Sequence, residues 1–316
     1  MELAKKRIGI DIGGTNIACG LVEEGQILYK TSLATNASEG KESVFNSIFK
    51  AVQMVLDNTE TTIKQIAGIG VGVPGMVDMD TGVVKLAPNL YWEYVPVKEI
   101  LEKKFKVPVV VDNDANAAAL GEVLSGAGKG NKDVVCITIG TGIGAGLIIN
   151  GKIHHGKSGG AGEFGHTIVN EKGPLCNCGS RGCLETLTSA TAIVNKGKDI
   201  LQQESDSILK DCIVEGQPLG AKEIFLAAQK GDKWCKEVIE ESCKHLGMAL
   251  ANVVNLLNPE QIIVGGGVSQ AGEALFRPLK KWVNYYSLDI LNKDLSVDPA
   301  ELGNDAGIIG AAGLIK

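Results

Sequence analysis

Residues 8–28 read IGIDIGGTNIACGLVEEGQIL, and residues 135–154 read VCITIGTGIGAGLIINGKIH. The two stretches are one pattern written twice. Each begins as a short apolar run, breaks at a Gly-rich turn, resumes as a strand, and breaks again at an x-Gly pair, Glu24-Gly25 or Asn150-Gly151. Such pairs favour the tight turn of a β-hairpin, whose left-handed backbone suits glycine. Gly13 answers Gly140. After a one-residue gap, Gly20-Leu21, Gly25 and Ile27 answer Gly146-Leu147, Gly151 and Ile153.

Later blocks recur in the same order. IGVGV at 69–73 is echoed by VGGGV at 264–268, and Asn113-Asp114-Ala115 by Asn304-Asp305-Ala306. Internal repetition of this kind predicts a duplicated α/β architecture with mixed sheets. Between the blocks lie helical spacings. One is Val44, Ile48, Val52 and Val55; another runs from Val238 through Leu246, Leu250 and Val253 to Leu257, stopping at Asn258-Pro259. The expected organisation is an N-terminal α/β domain over 1–117, joined by a C-terminal helix over 304–316, and a second α/β domain over 118–303. A nucleotide is expected in the cleft between the two Gly-turn hairpins.

Composition narrows the function classes. The chain has 316 residues, 44% hydrophobic and 22% charged, which suits a globular protein of two ordinary domains. A net charge of −6 argues against a broad nucleic-acid surface. The N-terminus has no apolar signal region, and the apolar run 246–257 is short and broken by Asn252 and Asn255. A cytoplasmic protein without a membrane partner is expected. The 41 glycines, about 13% against a usual ~7%, cluster at strand ends, where backbone can approach a ligand. Eight cysteines in this context point to reduced thiols or a metal rather than to a disulfide framework.

Several clusters carry chemistry. Asp11-Ile-Gly-Gly-Thr15 follows an apolar strand; backbone N–H groups in its turn suit phosphate, and Asp11 suits a hydrated Mg²⁺. Gly140-Thr141-Gly142 offers a second phosphate turn, and Gly265-Gly266-Gly267 a close approach for adenine or ribose. Val109-Val-Val-Asp-Asn-Asp-Ala-Asn116 is a buried-type strand ending in polar residues. A phosphoryl acceptor needs a carboxylate to take its proton, and Asp112 or Asp114 supplies one. Helix capping alone would use only one of these residues. His166 with Cys176, Cys178 and Cys183 gives the spacing H-x9-C-x-C-x4-C, a donor set for tetrahedral structural Zn²⁺. Glu163 and Glu185 flank that loop and suit sugar hydroxyls; Asn89, between apolar residues, suits another. The remaining cysteines and His154, His155 and His245 read as structural.

Together these residues resemble the ROK family (repressors, open reading frames, kinases). The resemblance rests on Asp11-Ile-Gly-Gly-Thr, Val73-Pro-Gly-Met-Val-Asp78, Ala87-Pro-Asn-Leu-x-Trp92, Asp112-Asn-Asp-Ala-Asn116, Glu163-Phe-Gly-His166 and Cys176-x-Cys-Gly-x-x-Gly-Cys-x-Glu185. It covers nearly the whole chain. It implies the duplicated actin-like (ribonuclease H-like) ATPase fold, two domains around a nucleotide cleft. The implied reaction is ATP-dependent phosphorylation of a hexose, D-glucose first, in glycolytic carbohydrate metabolism. N-acetylmannosamine or another hexose is the alternative substrate. Asp114 is implied as catalytic base. Asn113, Glu163, His166 and Glu185 are implied to bind the sugar, with Asn89 added, and His166 is implied also to ligate zinc. ATP, Mg²⁺ and structural Zn²⁺ are the implied cofactors, and a homo-oligomer, a dimer by preference, the implied assembly. Asn16 departs from the lysine that many relatives carry there. A sugar-sensing repressor is not expected, since the first strand begins by about Ile8 and leaves no stretch for a helix-turn-helix.

Overall fold

The computed structural model describes residues 6–203 and 206–316. Its strands are β1 (Lys6–Ile12), β2 (Asn16–Glu23), β3 (Gln26–Ala34), β4 (Ile66–Val73), β5 (Met76–Asp78), β6 (Val83–Ala87), β7 (Trp92–Val95), β8 (Val109–Asn113), β9 (Val134–Ile139), β10 (Ile143–Ile149), β11 (Lys152–Ile153), β12 (Gln261–Gly265) and β13 (Ser296–Pro299). The helices are α1 (Lys41–Asn58), α2 (Val97–Phe105), α3 (Asp114–Ser125), α4 (Glu185–Thr188), α5 (Ala190–Gln203), α6 (Leu209–Cys212), α7 (Ala221–Gln229), α8 (Lys233–Leu257), α9 (Glu273–Tyr286), α10 (Asp289–Asn292) and α11 (Ala306–Gly313).

Two five-stranded sheets repeat one order, β3-β2-β1-β4-β8 and β11-β10-β9-β12-β13. In the first, β1 pairs antiparallel with β2 and parallel with β4, and β4 pairs parallel with β8. The sequence repeat is therefore a repeat of strand order. Both x-Gly pairs have positive φ at both positions, 50° and 77° at Glu24-Gly25 and 53° and 71° at Asn150-Gly151, so each hairpin closes with the expected twist. A small sheet, β5-β6-β7, is added after β4. No helix among the described residues is long and apolar enough to cross a membrane.

The chain divides into two compact units. Unit one holds the described residues up to Cys136 together with Gly146–Gly162 and Glu301–Lys316; unit two holds Ile137–Ala145 and Glu163–Ala300. In unit one, α1 buries Val44, Ile48, Val52 and Val55 in the main core cluster, which also takes in Ile8, Ile10 and Ile12 of β1. Full burial of each such side chain contributes about 1.5–3 kcal/mol. Trp92 joins that core, stacked on Phe45 with ring centroids 5.4 Å apart.

The other face of the sheet takes α11, which packs on α3, β1 and β4. The approach is so close that a Cβ at Gly9 would strike the Ile308 carbonyl, and one at Gly70 the Ala311 carbonyl. In unit two, α8 ends at Asn258, whose φ of 46° terminates it before Pro259. Cys19, Cys136, Cys212, Cys235 and Cys243 are all buried, as small core residues are.

Candidate functional site

Unit one carries the first set of predicted residues. The β1–β2 turn is closed by Gly13 N donating to Asn16 O at 2.8 Å. Thr35, fully buried and next after β3, latches it: its hydroxyl donates to Gly13 O at 2.7 Å and its N–H to Thr15 O at 2.8 Å. The turn borders a cavity of about 690 Å³, which Asp11, Lys30 and Asn304-Asp305 also line. Asn89, on the single 3₁₀ turn Pro88–Leu90, lies beside Gly14. The Asp11 carboxylate abuts the first turn of α11, where a Cβ at Gly307 would collide with it. Burial, then the negative charge of Asp114, push the Asp11 carboxyl up to about 7.

The β8–α3 junction separates the two candidate carboxylates. Asp112 is 1% exposed. Its Oδ1 accepts from Asn113 N at 2.7 Å and Asn116 Nδ2 at 3.0 Å, and its Oδ2 pairs with His155 Nε2 at 2.7 Å. Asp112 is thus committed to holding the junction. Asn113 caps α3, accepting from Ala115 N at 2.9 Å and Asn116 N at 3.3 Å, while its Nδ2 donates to Gly75 O at 3.0 Å. Asp114, the first residue of α3, is half-buried beside Asp11. The four polar residues divide the work: Asp112 anchors, Asn113 caps, Asn116 braces, and Asp114 is left close to the cavity-lining carboxylate.

Unit two holds the second set. The β9–β10 turn is closed by Gly140 N donating to Gly142 O at 2.9 Å, and is tied to α5 by Ala190 N to Gly140 O at 2.9 Å. Thr191 Oγ1 donates to Thr141 O at 2.8 Å. Glu185 reaches this turn: its Oε2 accepts from Ile143 N at 2.9 Å, and a Cβ at Gly142 would run into its carboxylate. A residue predicted for sugar and a turn predicted for phosphate therefore touch. At the end of β12, Gly266 has a φ of 84° and packs against the Ile139 backbone, and each of these calls for glycine there without a ligand. Gly265 packs near Ala300, while Gly267 has open space around it.

The ligand atoms of His166, Cys176, Cys178 and Cys183 all lie within 4.8 Å of one another. Cys176 Sγ is 3.6 Å from His166 Nδ1, and Cys178 Sγ is 3.6 Å from Cys183 Sγ. A tetrahedron with metal–sulfur bonds near 2.3 Å has edges of about 3.8 Å, so the set fits a Zn²⁺-sized cation. Turn hydrogen bonds shape the loop: Cys176 N to Ser180 O at 2.7 Å, Gly179 N to Cys176 O at 2.9 Å and Gly182 N to Pro174 O at 2.8 Å. Hydrogen bonds from the Ser180 backbone, then from Cys176 and Cys183, hold the Cys178 thiol down to about 6, while burial, then its bond to Cys178, pushes Cys183 up to about 12. Since Nδ1 of His166 faces the sulfurs, its Nε2 is left on the side of Glu163, 3.9 Å from Oε2.

Three residues here carry no signal that the sequence reading used. Lys30 lies on β3 and Thr35 directly follows it, and His155 on the segment after β11 meets its partner across 43 residues of chain. The Gly13–Gly14 turn was the only pointer to Thr35 and Lys30, through the strand that had to pair beside it.

Comparison with known proteins gives matches over nearly the full chain. A family model described as "ROK family" matches residues 7–316. A glucokinase of Halalkalibacterium halodurans is 42% identical over 311 residues, covering 98% of this chain and 94% of that protein. A xylose repressor of Caldicellulosiruptor bescii is 34% identical over 98% of this chain, but over only 77% of the repressor. Among solved structures, a ROK family glucokinase from Streptomyces griseus in complex with glucose and AMPPNP superimposes with a TM-score of 0.83. It is 39% identical, and the match covers 98% of this chain and 99% of that one.

Proposed function

The chain belongs to the ROK family, with the actin-like ATPase fold of its sugar kinases, and on that premise we propose that it transfers the γ-phosphate of ATP to the 6-hydroxyl of D-glucose. The observation that carries this reading is the β8–α3 junction. Buried Asp112 and capping Asn113 fix the first turn of α3, and Asp114 stands there beside Asp11, which lines the cavity at the Gly13-Gly14-Thr15 turn. Asp114 takes the proton of the attacking hydroxyl as its oxygen bonds to the γ-phosphorus and the bond from that phosphorus to the bridging oxygen breaks, releasing ADP.

Asn89, Asn113, Glu163, His166 and Glu185 bind the sugar hydroxyls, together with Asp114. The Gly13-Gly14-Thr15 and Gly140-Thr141-Gly142 turns present backbone N–H groups to the phosphates, and Gly265-Gly266-Gly267 borders the base or ribose. Asp11 holds the Mg²⁺ that accompanies ATP and neutralises phosphate charge. His166 Nδ1 and the three thiolates hold structural Zn²⁺, which fixes the loop carrying Glu185 and leaves His166 Nε2 for a hydroxyl.

The test is a coupled assay with ATP across D-glucose, D-mannose, N-acetylmannosamine and N-acetylglucosamine. D-glucose is expected to have the highest kcat/KM. N-acetylmannosamine far ahead would overturn the substrate and leave the kinase chemistry. No turnover of any hexose, with polyphosphate included as donor, would overturn both.

A further inference from the structure

The cavity beside the Gly13-Gly14-Thr15 turn has an unusual charge balance for a phosphate site. Its acidic lining residues are Asp11 and Asp305, and Lys30 is the one cationic side chain among the described residues that line it. The strand register explains why Lys30 is there. Across β1–β2–β3, Asp11 pairs with Ala18, Ala18 with Ser32, and Gly20 with Lys30. Side chains alternate along a strand, so Asp11, Ala18, Gly20, Lys30 and Ser32 share one face, the face that meets α11. Ala18 is small and lines the cavity, while the space over Gly20 is taken by the Ile308 side chain of α11. Lys30 extends from β3 to the cavity, where it meets Asp305 at the start of α11.

Asp305 is the residue before α11, and its carboxylate makes no capping bond to that helix. It is instead paired with Lys30, Nζ to Oδ1 at 2.5 Å. The pair is solvent-exposed, so a stronger anion can compete for the ammonium at little cost. Asn16, which also lines the cavity, brings an amide and no charge.

We infer that Lys30 is a nucleotide-binding residue, giving up Asp305 to contact the polyphosphate tail of the bound nucleoside triphosphate. This rests on the reading that ATP is the donor. Without Lys30 a tail carrying several negative charges would enter a cavity whose charged side chains are all carboxylates. Mg²⁺ offsets part of that repulsion, and Lys30 offsets more and fixes the tail's direction by a charge-assisted hydrogen bond. The position on β3 does for this chain what a cation at position 16, on the adjoining β2, would do from the other side of the same floor.

The experiment uses the full chain and the variants Lys30→Met, Lys30→Arg and Lys30→Met with Asn16→Lys. Steady-state kinetics with MgATP and glucose varied separately are combined with calorimetry of ATP, ADP and AMP. For Lys30→Met, the KM for MgATP is expected to rise about 10–100-fold, the worth of one charge-assisted hydrogen bond, with the KM for glucose within about twofold. ATP affinity is expected to fall and AMP affinity to stay. Lys30→Arg is expected to keep most of the affinity, and Asn16→Lys to recover at least half of the loss in the Lys30→Met background. An unchanged KM for MgATP in Lys30→Met, or equal losses for ATP and AMP, would overturn the inference. Failure of the unaltered chain to use ATP would instead overturn the reading beneath it.

Discussion

Replacing His155 tests whether the buried Asp112 carboxylate is what holds the β8–α3 junction in place. Asp112 Oδ1 has two other donors, Asn113 N and Asn116 Nδ2, but Oδ2 is paired with His155 Nε2 at 2.7 Å. Removing the imidazole strands half of a carboxylate that is 1% exposed. Breaking a fully buried ion pair by deleting one partner costs about 3–5 kcal/mol, and leaving one acceptor unsatisfied about 1–3. The His155 side chain is 28% exposed, so water can replace it in part, and the lower range applies. His155→Ala is expected to lose about 2 kcal/mol, and His155→Gln, whose amide can still donate, about half as much.

The pair also has a pH signature. The hydrogen bond to Asp112 raises the His155 pKa above its ordinary 6.5, against the smaller opposing effect of burial. A raised pKa means that the folded state holds the proton more tightly than the unfolded state. The ion-pair part of the stabilisation is therefore complete below about pH 6.5, and it is lost as pH rises through the higher folded value. Above that pH the neutral ring still donates from Nε2, so the hydrogen bond remains while the charge attraction goes. Urea unfolding of the unaltered chain and His155→Gln at pH 6, 7.5 and 9 should show the largest gap at pH 6. A gap that is constant, or that widens towards pH 9, would refute the reasoning. Since Asp112 also holds Asn113 N, kcat should fall with the loss of the pair, and a variant destabilised by the full amount with unchanged kcat would mean that Asp114 is positioned without it.

Other perturbations separate the remaining roles. Asp114→Asn should keep glucose affinity and lose about 10²–10⁴ in kcat, because an amide can bind a hydroxyl but cannot take its proton; near-unchanged turnover would remove Asp114 as the base. Cys178→Ser should lose the metal by elemental analysis, raise the KM for glucose and lower kcat, with a combined loss of about 10–100-fold. A folded, metal-free variant with normal glucose affinity and turnover would show that the loop and the sugar residues are independent. Gly142→Ala should displace the Glu185 carboxylate from Ile143 N and weaken glucose by about 10–100-fold, the worth of one hydrogen bond to a charged group; calorimetry that finds glucose binding unaltered would mean that Glu185 does not need that anchor.

Much of this was legible because the chain repeats its own grammar. Strands carry a two-residue alternation and hairpins need particular turn residues, so IGIDIGGTN and VCITIGTGIG announce themselves, and the structure turns them into two sheets of one order. The clustering of three cysteines and a histidine was legible for a related reason: His166, Cys176, Cys178 and Cys183 lie close in sequence, and tight turns leave few ways for such a loop to fold. The small sheet β5-β6-β7 carried no such signal, since its strands have only three to five residues and no repeat partner.

Side chains that depend on strand order were not legible, and the reason is physical rather than a lack of signal strength. His155 is one of two adjacent histidines in a stretch that reads as a loop, and only the pairing of β11 next to β10 and its packing near α3 bring it to Asp112. Lys30 reads as an ordinary exposed residue of an alternating strand, which is also its local structure. Its meaning comes from the cavity it lines beside Ala18 of the neighbouring strand, and from Asp305 arriving nearly the whole length of the chain later. Local pattern determines which element a residue belongs to. Which charge it meets is determined by register and by the return of α11 onto the first sheet, and the chemistry proposed for Lys30 resides in that second kind of information.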